Sequence, residues 1–542
     1  MRPFATIAKA WRQPHSFDEL FPFKSETAGL VAVLGGLLIS FVLFGFWWPY
    51  WRIADMDLFM VYNGFLLNDG LPQEVFDHPG STSILLLGYW LKLAHGLGLV
   101  SVDALSALPP PADAGPAWSA AVRAGRVLSL LTSCVFVAAF AALLRRLVQD
   151  WRIAVLGAFA LAFSGGMAMH SRMSRDELLC AALLTCGLLL LLIAARGPSR
   201  SWRPVLVGLG ALLATLAFVN KVQVITLACA LPLVALPFGS HIGNAAGFWR
   251  TSRWALPTAA ALVVAAILIA IPASSLVWFG LTAARESVFH WRPLAFGTFG
   301  FYQPIIAAWV VLAMIAFAIV WCVPILETLA TMACVLAGVA LALLSLDIRY
   351  NPQVVLVVMN PLDQALQLVP RVSHTDGTGL LNAPLFQALL DGVLNVAARL
   401  TFVLRTSSRP TIFVEWLVIA GAIVAFRARQ RKLVLQVAAL MCVVWGVDTV
   451  NTLRGLKIEY WIFTDPLVII AAALLLANVP SLRSYRWAYR VGIVLFAAHV
   501  FVGQAEVVKH TFKRDVPLDW CTEHFYYTKR VERFPFCPPP RT

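Results

Sequence analysis

The sequence predicts an all-α polytopic membrane protein of about 13 transmembrane helices, with a first outer loop carrying interfacial helices. Three observations predict it. Hydrophobic residues fill 60% of the 542 positions and charged residues only 13%, about half the usual charged share. The apolar residues gather in many runs near the roughly 20 positions a helix needs to cross a bilayer. These runs are continuous rather than alternating, and lipid, which offers no hydrogen bonds, admits only helices or a closed barrel.

Residues 1–27 are polar and mildly basic and are expected to be a cytoplasmic N-terminal segment. The first apolar run, from near Ala28 to Trp48, is too long for a signal-peptide core and lacks a small-residue cleavage site, so a retained helix is expected. Further spans are expected at 123–144, 153–170, 177–195, 204–219, 222–238, 255–272, 304–323, 328–346, 411–426, 433–450, 462–479 and 488–505. "STSILLLGYWLKLAHGLGLV" (Ser81–Val100) is apolar but interrupted by Lys92 and His95. If it lies flat in the interface, one side of the membrane receives 19 Lys and Arg in its short segments. The other side then receives five: Arg172, Arg175, Lys221, Arg454 and Lys457. Basic loops are cytoplasmic, which puts the N-terminus inside and the C-terminus outside. Were Ser81–Val100 to span, every later basic loop would fall outside. The net charge of +14 is then mostly a topology signal.

On this map a transmembrane body of residues 28–505 carries outer loops at 50–122, 273–303 and 347–410, and residues 506–542 form an outer tail. The cytoplasmic loops are short, so the chemistry is expected on the outer face. Seven cysteines lie within apolar runs, whereas Cys521 and Cys537 lie in the outer tail, where an oxidising compartment would let them pair. Such a loop of about 17 residues is worth ~3 kcal/mol locally. No Asn-x-Ser/Thr sequon falls on an outer loop, which favours a bacterial inner membrane. The chain has no Walker A, no strand-linked GxGxxG and no HExxH, and its Cys and His spacing makes no four-ligand zinc set.

Carboxylates are scarce overall but dense in "WRIADMDLFMVYNGFLLNDGLPQEVFDHPG" (Trp51–Gly80), which holds Asp55, Asp57, Asp69, Glu74 and Asp77, with His78 next. Asp55 and Asp57 follow the Trp-rich end of the first helix and are the leading catalytic pair. They share a face if the chain is extended and diverge if it is helical. Asp69, in "NDG", reads as a turn residue. A second stretch, "SRMSRDELLCAALL" (Ser171–Leu184), places Arg172, Arg175, Asp176 and Glu177 in a tight turn before a span. The two acids suit the positive end of the helix dipole, and the arginines suit an anionic lipid head group. Lys221 stands at the next outer helix boundary, and Arg454, Lys457, Glu459 and Tyr460 approach the twelfth span. Asp448 lies near a span end, where Arg454 is a candidate partner. The loop with "SHTDGTG" reads as flexible.

The order of these features resembles the GT-C superfamily of polyprenyl-phosphate-sugar glycosyltransferases, which includes protein O-mannosyltransferases, aminoarabinose transferases and galacturonosyltransferases. The features are one helix, an acidic motif opening a large outer loop, a His-Pro step, a span like "RAGRVLSLLTSCVFVAAFAALLRRL" (Arg123–Leu147), the Ser171–Leu184 turn and the aromatic "LKIEYWIFTDPLVIIAAALLL" (Leu456–Leu476). The resemblance covers the first 240 residues or so well and the rest loosely. The acids here are Asp55-Met56-Asp57 where many members have adjacent Asp-Glu, and "DHPGST" stands where His-Pro-Pro is common. Subfamily and sugar therefore stay open.

The resemblance implies transfer of a sugar from a polyprenyl-phosphate donor to a glycan, lipid or protein acceptor of the cell envelope. Such a donor carries its own leaving group. A positioned carboxylate, Asp57 or Asp55, would take the acceptor proton, and Arg or Lys would stabilise the departing phosphate. Asp77, His78, Arg172, Arg175, Asp176, Lys221, Arg454, Lys457 and Tyr460 are the candidate substrate-binding residues. A divalent ion, Mg or Mn, is a candidate cofactor, with Asp55 and Asp57 its ligands. A lipid or glycan transporter or flippase is the main rival, followed by a non-catalytic envelope assembly protein. Transport would call for internal repeats and broken helices, and the sequence pattern suggests neither.

Overall fold

The computed structural model describes residues 21–74, 80–196, 202–239, 302–346, 383–401, 411–452, 458–484, 486–512, 515–524 and 528–538, with isolated positions between 257 and 358. All regular structure among the described residues is helical. Seven described helices are long and apolar enough to cross a membrane, and four shorter apolar helices accompany them. The expected span 255–272 lies largely outside the described residues.

Helix α1 (Glu26–Phe44) is capped by Ser25, whose side chain accepts from Ala28 N. It leads into α2 (Ala54–Asn68) and α3 (Ser81–Gly96). At 1.5 Å per residue α3 is about 24 Å long, short of the roughly 30 Å hydrocarbon core. It packs on α2 and on α4 (Gly115–Val148), leaving Leu86, Tyr89 and Leu93 exposed. The 34 residues of α4 extend beyond the expected span 123–144. Its extra N-terminal turns carry Trp118, Ala121 and Val122 into a core shared with α2 and α3.

The chain continues through α5 (Trp151–Ala162), α6 (Gly165–His170), α7 (Asp176–Arg196), α8 (Arg203–Asn220) and α9 (Ile225–Ala235). The expected continuous span 153–170 is broken: α5 ends at Ala162, and Ser164 caps α6, its Oγ accepting from Met167 N at 3.3 Å. The sequence "FSGGM" supplies the N-cap and the glycines that favour such a break. The neighbouring carbonyl of Ala160 receives the buried His499 ring at 2.9 Å. Gly166 sits against the backbone of Ile462, where an added Cβ would lie 2.5 Å from the Ile462 nitrogen. Gly166→Ala is therefore expected to destabilise by about 1–3 kcal/mol through overpacking against backbone. Thermal melting of the purified protein measures this, and an unchanged melt would refute the close packing.

Helices α7 and α8 run antiparallel, with Gly187 opposite Gly210, while α8 runs parallel to α11 (Ile325–Leu343), with Gly208 against Cys334. Small residues let membrane helices approach closely. The remaining helices are α10 (Tyr302–Val320), α12 (Ala383–Thr401), α13 (Ile412–Arg427), α14 (Arg431–Thr452), α15 (Asp465–Asn478), α16 (Pro480–Ser484), α17 (Arg486–Phe512) and α18 (Trp520–Glu523). α12 corrects the expectation of an unstructured 347–410 loop in part. It is a 19-residue amphipathic helix lying against α14, while "SHTDGTG" itself is outside the described residues.

The tail returns to the face that carries α2 and α3. Trp520, Val531, Phe534 and Cys537 join the core of α2, α3 and the first turns of α4, and the Phe534 ring packs at a tilt against Trp118, centroids 5.2 Å apart. Cys521 and Cys537 are disulfide-bonded, with Cα atoms 5.6 Å apart. Glu74 fastens this tail. It accepts from Tyr62 Oη, from Arg530 Nε at 2.9 Å and from Lys529 N at 3.1 Å. Burial and the Glu74 contact push the Tyr62 phenol up. Asp69 is a turn residue, receiving Ser106 N at 2.8 Å.

Candidate functional site

Three sequence-distant stretches meet at one end of the helices: the start of α2, the turn 171–175 with the start of α7, and the loop joining α8 to α9. At the opposite end of α8, Arg203 and Glu327 form a separate buried pair at 2.7 Å.

Asp57 is buried and does not open onto a cavity as expected. One carboxylate oxygen accepts Arg126 Nε at 2.9 Å and Nη2 at 2.7 Å, and the other accepts Ser174 N at 2.7 Å. Arg126 also donates to the carbonyls of Trp48, at 2.6 Å, and Pro49, at 3.0 Å. One ion pair thus ties α2 to α4, to the turn after α1 and to the turn before α7. A guanidinium and a backbone N–H both stabilise the charged carboxylate. Both oxygens of Asp57 are thus engaged, and it acts as an organiser. The start of α2 is helical, so Asp55 and Asp57 do not share a face. Only the backbone of Asp55 is described.

Next to this pair lies a second buried cluster. Lys221 Nζ is 2.8 Å from Glu177 and 3.8 Å from Asp176, and Arg175 Nε is 2.6 Å from Glu177. Burial alone would lower the Lys221 ammonium, but the Asp176 and Glu177 carboxylates more than offset it and hold it above its ordinary value. Asn220, unremarked in sequence, uses its whole amide. Its oxygen accepts from Thr82 Oγ1 at 3.0 Å and Ser83 N at 3.1 Å, and its nitrogen donates to Ser83 Oγ at 3.0 Å and the Asp176 carbonyl at 2.9 Å. It pins the start of α3 to the start of α7. Gly80, at φ 57°, supplies the left-handed residue that opens α3.

Arg172 belongs to the same turn but is directed elsewhere. It donates to the Ala168 carbonyl, to Ser171 Oγ at 2.9 Å and to Ser40 Oγ at 2.5 Å, beneath Gly45. Burial pushes its guanidinium down to about 9, so it stays charged at neutral pH.

A small, half-open cleft lies between α3, α4 and α7. Met60, Leu86, Leu87, Leu128, Leu178 and Leu179 give it apolar walls, and Ser83, Ser129, Thr132, Ser174 and Arg175 give it polar groups. Ser174 is buried, and its Oγ has no hydrogen-bond partner among the described residues. The N–H of the same residue is the one held by Asp57, so the ion pair fixes this part of the wall.

The late aromatic stretch is brought close as well. The turn Ile458–Phe463, which carries the half-buried Tyr460, packs on α6. Gly166 N lies 3.4 Å from an Asp465 carboxylate oxygen. Asp448 accepts from Thr464 Oγ1 at 3.1 Å; its suggested partner Arg454 lies outside the described residues, as do Asp77, His78 and Lys457. Among the described residues no three His, Cys, Asp or Glu side chains converge to hold a metal ion. Asp57, engaged on both oxygens, does not fit the role of a ligand for Mg or Mn.

Comparisons with protein families, curated proteins and solved structures find no match.

Proposed function

We propose that the protein is a membrane glycosyltransferase, moving a sugar from a polyprenyl-phosphate donor to a cell-envelope acceptor on the outer face of a bacterial inner membrane. The observation that carries this reading is the cleft between α3, α4 and α7. Its leucine walls suit an isoprenoid chain, and Arg175 with the unpartnered Ser174 hydroxyl suits the phosphate. A guanidinium and a hydroxyl there would stabilise negative charge on the departing phosphate. The base is assigned to Asp55, because both Asp57 carboxylate oxygens are taken up by Arg126 and Ser174 N. The reading keeps about 13 spans, with the first loop and the tail outside, from the bias of basic residues.

The broken α5–α6 segment favours the rival transporter reading, since discontinuous helices often line transport sites. Here the break is filled by protein: His499 takes the Ala160 carbonyl, Gly503 packs on the Phe163 carbonyl and Gly166 on the Ile462 backbone. Mass analysis of envelope glycans from cells with the protein, without it and with Asp55→Asn tests the proposal. One sugar should vanish in the second and fall by about 10²–10⁴ in transfer rate in the third. Unchanged glycans in both would reject it.

A further inference from the structure

The face of α4 turned away from the cleft carries an arginine with no counter-ion among the described residues. Arg123 contacts the rings of Phe46 and Trp47, at 5.9 and 5.7 Å from their centroids. It makes no hydrogen bond or ion pair among the described residues, and its buried Nε is unpartnered. A guanidinium has five N–H donors and keeps its charge, and no described residue supplies an acceptor. Trp47 is 65% exposed at the end of α1, the position aromatic side chains take at head-group depth. Toward the membrane centre, Leu37, Phe41 and Leu130 close the seam between α1 and α4. Leu38 and Val42 on α1 and Leu131 and Val135 on α4 flank that seam and are exposed. Helical spacing leads from Arg123 through Val127 to Leu131, whereas Val135 stands three residues from Thr132, toward the cleft.

We propose that this α1–α4 groove holds one anionic phospholipid, its phosphate on Arg123 beside Trp47 and its acyl chain along Leu38, Val42 and Leu131. Charge complementarity chooses the occupant: an unpaired guanidinium at head-group depth above an apolar groove matches a lipid with a net negative head group. The donor cleft is a separate place, because it opens on the Gly125, Leu128 and Thr132 face of α4. The inference therefore stands apart from the proposed transfer reaction.

Native mass spectrometry of the full chain in mild detergent tests it, with titrations of phosphatidylglycerol and of phosphatidylcholine. The wild type should retain one phosphatidylglycerol in preference to phosphatidylcholine. Arg123→Gln should weaken that adduct by about fivefold or more, the worth of one basic residue at an anionic surface. Trp47→Ala, altering an exposed side chain, should weaken it too and gives a reading even if Arg123→Gln folds poorly. Arg146→Gln, an exposed arginine at the other end of α4, should leave it unchanged. Equal retention of both lipids by the wild type, or wild-type phosphatidylglycerol binding by Arg123→Gln or Trp47→Ala, would overturn the proposal. Displacement of the adduct by millimolar inorganic phosphate would overturn it as well, identifying a free-phosphate site.

Discussion

Asp57→Asn is expected to destabilise the whole assembly by about 3–5 kcal/mol, because removing one partner leaves the other charge buried and uncompensated. Arg126 has no exposed route to water, and its remaining partners, the carbonyls of Trp48 and Pro49, are neutral. The variant also weakens the grip on Ser174 N, so the cleft wall loosens with it. Replacing both members, as Asp57→Leu with Arg126→Met, should recover much of the loss, since a packed apolar pair can stand in for a buried ion pair. Denaturant melts of the two single variants and the double variant form the cycle. A single Asp57→Asn protein that melts like the wild type would show that the pair carries no such weight.

This pair also marks how far the sequence could be read. Helix positions were legible because apolar runs of spanning length leave few alternatives. α7 and α8 begin and end within a residue or so of the expected spans 177–195 and 204–219. The break at Ser164 was missed, although Ser-Gly-Gly inside a run is a breaker signal. Asp57 meets the turn before α7 through Ser174 N rather than through an arginine of that turn, a contact that residue types alone do not signal. Arg126 lay inside a predicted span and was passed over. An arginine at that depth requires a partner, but Asp57 is 69 residues away in sequence, and no local pattern singles it out over nearer acids. Arg203 was counted only as a topology signal, and its partner Glu327 was not considered. The Glu74–Arg530 clamp joins residues 456 apart, and one sequence holds no local signal for such a contact.

Arg175→Gln is expected to lower transfer by about 10²–10³, the usual effect of removing one donor that stabilises developing charge. The loss should show in the dependence on donor concentration as well as in the maximal rate, because the same group would hold the donor phosphate before reaction. Arg175 also pairs with Glu177, so part of any effect could be structural. Arg175→Lys separates the two. It keeps a cation beside Glu177 but lacks the planar fork that grips phosphate. Stability should recover with Lys while donor use recovers only in part. Full recovery of transfer, or a normal rate with Gln, would remove Arg175 from the donor site.

The central claim is that an isoprenoid phosphate occupies the cleft between α3, α4 and α7. Photo-crosslinking of the purified full chain with a diazirine-bearing polyprenyl phosphate, followed by peptide mapping, tests it most directly. Labels should fall within Ser81–Gly96, on α4 around Leu128 and Thr132, and on α7 around Leu178. Unlabelled polyprenyl phosphate should suppress them, an uncharged polyprenol should compete weakly, and Arg175→Gln should reduce them. Labels confined to other helices, or labels at these positions that excess polyprenyl phosphate leaves unchanged, would contradict the account.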